Sequence, residues 1–196
     1  RNIMANPLLE QHALPPFSRI SSADIEPAIT RLIERNKTAT EAILAEHDSY
    51  SWDNLWQAIE QMDDELAQAW SPVSHLNSVA NSEELRAAYN TCLPLLSEYG
   101  TWSGQHSGLY EAYRQLAESD EFAAMDGARR KAIDNVLRDF RLAGVALPPE
   151  QKQQYANLRK RLSELGSRYS DNVLDATNAW SKQVRVEQLA GLPATA

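Results

Sequence analysis

Cysteine is nearly missing from this chain of 196 residues: Cys92 is the only one, so no disulfide can form within it. That suits a reducing compartment. Thr91 and Leu93 flank it, with no His, Lys or Arg adjacent to lower its pKa, so the thiol reads as buried or inert. Glycine is also scarce, with seven residues, and Gly100, Gly104 and Gly108 fit neither phosphate-binding pattern, G-x-G-x-x-G or G-x-x-x-x-G-K. Positive charge is short too. Nineteen Lys and Arg stand against 27 Asp and Glu, a formal net charge of −8. Nucleic-acid binding needs a clustered basic surface, and this balance argues against it. The two short basic runs, Arg129-Arg130-Lys131 and Arg159-Lys160-Arg161, fall in helical patterns with acids nearby and read as solvated faces. No apolar run approaches the ~20 residues of a membrane span. The N-terminus carries one Arg and no apolar stretch of the kind a signal peptide needs, so a cytoplasmic protein is expected. Arg1-Asn2-Ile3 precede Met4, which is expected to be the natural start, and residues 1–4 are set aside from the fold.

Metal-ligand spacing is a further absence. In His-Glu-x-x-His two histidines lie one helical turn apart and bind a metal, while the Glu activates water. Here His12, His47, His75 and His106 are never four apart and none is followed by Glu. No catalytic and no metal-binding residue is therefore assigned, and substrate-binding residues are not identifiable. His75 sits in the polar stretch Ser71–Ser78, read as a break between helices. It could face a cleft and touch substrate, but holding the turn by a bond to a helix end is the favoured role. His106, between Gly104 and Gly108, reads as a packing residue, and His12 and His47 as loop residues. Glu60, Asp63, Asp64 and Glu65 form an acidic cluster, a composition that can perform acid–base work or bind a metal. Consecutive helical residues point in different directions, so the cluster reads as a solvated face.

What is abundant is Ala, Leu, Glu, Gln and Arg, a mix that favours helix because straight-chain residues lose little rotamer freedom there. Residues 5–20 form an irregular arm interrupted by Pro7, Pro15 and Pro16. Ser21 or Ser22 then caps a helix running to about Glu46, with the stripe Ile25, Ile29, Leu32, Asn36, Ala39 and Ile43. Ser51 caps a second, bearing Leu55, Ile59, Met62, Leu66 and Ala69, with Trp52 and Trp56 stacked along one side. Ser71-Pro72 should break or kink it, leaving a short segment from Val73 to Val79. Asn81 and Glu84 form a capping-box pattern for a third helix, kinked at Pro94. The three glycines at intervals of four would give it a face for close packing. The apolar pattern resumes at Leu109, Tyr113 and Leu116. Asp126 caps a further helix ending near Gly144. The longest stripe follows: Tyr155, Leu158, Leu162, Leu165, Tyr169, Val173, Ala176 and Trp180. A helix of that length reaches ~39 Å and needs partners all along it. Val184 and Val186 alternate with polar neighbours, so Gln183 to Glu187 reads as a strand whose partners must lie elsewhere. The expected fold is all-α, an antiparallel bundle of long, partly kinked helices. It has at most one short β segment near the C-terminus. Residues 5–182 form the helical lobe and residues 183–196 begin a further element.

Several blocks resemble the N-terminal part of the thimet oligopeptidase family of zinc peptidases. They are Asn6-Pro7-Leu8-Leu9, Ser71 to Val79 with Leu85-Arg86, Leu93 to Tyr99, Leu109-Tyr110, Arg161 to Gly166, Tyr169-Ser170 and Asn172 to Thr177. The resemblance covers essentially the whole chain after Met4. It implies a cytosolic, mostly helical peptidase acting on short peptides, in which two lobes flank a deep channel. One zinc ion is held by His-Glu-x-x-His and a further Glu in the family's C-terminal part, so no catalytic or metal residue transfers to any position here. The segment itself is expected to hold no cofactor, to form one channel wall, and to be inactive alone. Its implied partners are the C-terminal catalytic part of the same polypeptide and, for the whole enzyme, short peptides. A dimer of the segment is a further expectation, with neither nucleic acid nor membrane as a partner. The competing reading is a stand-alone helical interaction module without activity.

Overall fold

The structure, a computed structural model, describes residues 6–193; the start assigned to Met4 lies outside them. Seven α-helices carry the fold, and no strand occurs among the described residues. Two compact units divide between Glu164 and Leu165.

The first unit opens with the arm, where Asn6 accepts a bond from the Leu8 amide and donates to the Asp24 carbonyl, fixing the arm against α1 (Ser22–Glu46). Ser21 is the cap of α1, and Asp24 reaches back to its amide at 3.0 Å and to its hydroxyl at 2.6 Å. Ser51 and Asn54 cap each other reciprocally. A π-helical turn, Trp52–Gln57, then leads into α2 (Ala58–Val79). As expected, the rings of Trp52 and Trp56 stack, 4.0 Å apart. Pro72 does not break α2, which runs through it to Val79. His75 is therefore a helical residue, not part of a turn.

The cap of α3 (Glu83–Gly104) is Ser82, one residue later than the expected Asn81. Asn81 instead donates to the Asn77 carbonyl and so closes the end of α2. Pro94 lies inside α3 without ending it. Gln105 and His106 separate α3 from α4 (Ser107–Ala117), so Gly100, Gly104 and Gly108 do not share one helix face. Of the three, Gly104 has the closest neighbour: a Cβ there would lie 2.8 Å from that of Ala143. The short α5 (Asp120–Ala124), capped by Ser119, has no counterpart in the sequence reading, because five residues are too few to show a helical period. Asp126 caps α6 (Gly127–Leu142) as expected. Gly144 stops it with φ at +83°, the Val145 amide bonding back to the Phe140 carbonyl and the Gly144 amide to that of Arg141. That pair is the Schellman arrangement.

Two apolar cores fill this unit. Ile25, Ile29, Leu66, Val73 and Cys92 centre the first, among α1, α2 and α3. Leu55, Leu109, Leu116, Ile133 and Phe140 centre the second, around α4 and α6.

The last helix, α7 (Pro149–Ala179), starts in the first unit and buries none of its residues. In its first-unit part, Lys160 pairs with Glu98 at 3.0 Å, while Leu158 and Leu162 stay exposed. The second unit comprises the rest of α7 and the residues after it. Here too the stripe is bare, with Tyr169 71% and Trp180 72% exposed. The expected strand at Gln183–Glu187 is not formed: residues 180–185 are irregular and Val186–Leu189 make a 3₁₀ turn. Alternation alone cannot make a strand, since a ladder needs a second strand to exchange hydrogen bonds with.

Candidate functional site

The four histidines serve separate local roles. His12 lies in the arm, its Nε2 3.2 Å from the Pro7 carbonyl and 3.4 Å from Glu10. His47 terminates α1. His75 sets its ring 5.5 Å from that of Phe17. His106 caps α4, its Nδ1 accepting from the Leu109 amide while its Nε2 lies 2.9 Å from Glu41. Among the described residues no three His, Cys, Asp or Glu side chains are grouped to hold a metal ion. Cys92 is fully buried, and burial, with Glu26 nearby, pushes its thiol up to about 11. The basic runs are exposed, as expected. Arg129 lies over the Trp52 ring and beside Asp126, and Arg161 pairs with Glu164.

The acidic cluster divides. Asp64 accepts from Gln68 in solvent, and the half-buried Glu65 pairs with Arg35 at 2.6 Å. Asp63 does not belong to that solvated face. It turns to α3 and accepts a 2.8 Å bond from the Tyr99 hydroxyl. Tyr99 also lies 3.5 Å from Nδ2 of Asn36, which is wholly buried and donates to the Met62 carbonyl at 3.0 Å. Burial pushes the Asp63 carboxyl above the usual range, opposed by the Tyr99 bond. The same burial, reinforced by Asp63, pushes the Tyr99 hydroxyl up.

Asp63 and Tyr99 border a groove of about 540 Å³ between α2, α3 and α6, with Asn36 buried behind them. Leu66, Trp70, Leu96 and Phe140 supply apolar walls, and Asp63 and Asp139 are its two acids. Asp139 is paired with Arg138 at 2.8 Å. Asp63 has no cationic partner among the described residues. The groove lies along the seam of the two cores, which is pinched where Gly104 meets Ala143 and where Gln105 bonds the Ala143 carbonyl at 3.0 Å. Of the acids and histidines considered from the sequence for chemistry, Asp63 alone borders it. The available signal was Asn36, a polar residue in the apolar stripe of α1, which in a packed interior must have a partner.

Residues 28–152 match the N-terminal domain of neurolysin and thimet oligopeptidase. The chain belongs to the thimet oligopeptidase family. Oligopeptidase A of Salmonella typhimurium is 52% identical over 194 residues, which is 98% of this chain and 28% of that protein. Oligopeptidase A of Escherichia coli has the same identity and coverage. The organellar oligopeptidase A of Arabidopsis thaliana is 28% identical across 99% of this chain, but 24% of its own length. The chain thus spans about a quarter of the length of these relatives and corresponds to the family's N-terminal part.

Proposed function

We propose that this chain is the non-catalytic, N-terminal helical part of a zinc-dependent, cytoplasmic oligopeptidase that hydrolyses short peptides, and that it forms one wall of the substrate channel. The observation that carries the reading is 52% identity to two oligopeptidases A along 98% of the chain. The bare apolar stripe of α7 supports it. A helix that buries no residue is a poor independent element, because helical stability in proteins comes mostly from packing an apolar face. In the proposed enzyme the rest of the polypeptide supplies that packing, and the zinc and the activated water belong to residues outside this segment. A stand-alone interaction module, the competing reading, should not leave so large an apolar face uncovered.

The test is to determine the reading frame beyond Ala196 and assay its product. A continuation bearing His-Glu-x-x-His, with zinc-dependent cleavage of a quenched-fluorescent oligopeptide, is the expected result. A frame that stops without that motif, in a protein that still functions, would favour the interaction module.

A further inference from the structure

The groove between α2, α3 and α6 combines apolar walls with a carboxylate that has no cationic partner among the described residues. Its walls are apolar and partly aromatic, no lysine or arginine lines it, and a carboxylate withdrawn from solvent sits at its edge. Tyr99 orients that carboxylate with a single 2.8 Å bond, and Asn36 lies behind Tyr99 in the core. An acid held in place and short of a cation costs stability unless something pairs with it. Its volume, about 540 Å³, is that of a small-ligand or side-chain site.

We propose that this groove is a subsite for a basic side chain of a bound peptide. The guanidinium or ammonium pairs with Asp63, and the aliphatic stem and a neighbouring apolar residue lie against Trp70, Leu96 and Phe140. The match is one of chemistry: long basic side chains bury their stems on apolar surface while the charged head seeks a partner. Asp139, already satisfied by Arg138, plays no part in the recognition. The choice of a peptide as occupant rests on the peptidase reading above.

Calorimetric titration of the 196-residue chain with two blocked tripeptides, Leu-Arg-Phe and Leu-Gln-Phe, tests it. The Arg peptide should bind at least about tenfold more tightly, the scale set by one partly desolvated charge pair. Asp63→Asn, which keeps an acceptor for Tyr99, should erase the difference. Gly100→Leu is the second variant. It borders the groove, an added Cβ there meets nothing within 4 Å, and it should weaken both peptides without unfolding α3. Equal affinity for the two peptides, no saturable binding, or a preference that survives Asp63→Asn overturns the proposal. So does loss of the preference when the longer polypeptide replaces the chain, since its own residues would then fill the groove. The titration needs no zinc and no cleavage, so an inactive long polypeptide would sink the peptidase reading and leave this result standing.

Discussion

Tyr99 on α3 donates a 2.8 Å hydrogen bond to Asp63 on α2, and so ties a core tyrosine, 9% exposed, to one acid of the cluster on that helix. Deleting that hydroxyl with Tyr99→Phe leaves the half-buried Asp63 without its donor. Hydrogen bonds to charged groups contribute about 1.5–3 kcal/mol, and a loss in that range is expected in urea denaturation. Asn36 keeps its bond to the Met62 carbonyl, so the loss should stay local.

The raised pKa of Asp63 fixes the sign of a pH effect. A carboxyl that binds its proton more tightly when folded stabilises the fold fully below its unfolded value, near 3.8. That contribution is lost as pH rises from there through the raised folded value. Asp63→Asn removes the titration and the charge. Its melting temperature should exceed that of the parent at neutral pH, and the two should converge as pH falls toward 3.8. A gain in stability with a loss of Arg-peptide preference would be the trade expected of a binding residue.

Cys92 should be silent in the native state. It is fully buried and its thiol is held at about 11, so little thiolate is present at neutral pH. A thiol-disulfide indicator at pH 8 should react with less than about a tenth of the chain before denaturant is added and with one thiol per chain afterwards, because the thiolate is the reactive form.

Two glycines on one helix should respond with opposite sign. Gly100→Ala meets open space in α3 and should gain up to about 1 kcal/mol from helix propensity. Gly104→Ala places its Cβ 2.8 Å from that of Ala143, with the Gln105 bond holding the two segments together. Overpacking of this kind costs about 1–3 kcal/mol, read as a lower midpoint in urea.

Much of the fold is legible in the sequence where a long amphipathic period coincides with a side-chain cap. The stretch from Ser21 to Glu46 and the cap at Asp126 with its stop at Gly144 are such cases. Proline misleads at position 72, because the surrounding packing of Val73 and Ala69 in the first core carries α2 through it. The break at Gln105 and His106 carries no proline or other local stop, and the glycines spaced by four read as one helix face running across it. It takes the His106 side chain, capping the Leu109 amide, to start a new helix there. The groove was harder still. Asp63, Tyr99 and Asn36 sit on three helices, and only tertiary packing brings them together. One local clue, a buried Asn in an apolar stripe, marks where such a network must be.

Metal content and peptide cleavage of the purified 196-residue chain test the division of labour most directly. The expected result is no stoichiometric zinc after dialysis against zinc buffer and no cleavage of a fluorogenic oligopeptide, while the polypeptide continued past Ala196 retains about one zinc per chain, as a three-ligand catalytic site requires, and cleaves the same peptide. One zinc bound tightly by the chain alone, or turnover by it, would contradict the assignment of the chemistry to residues outside this segment.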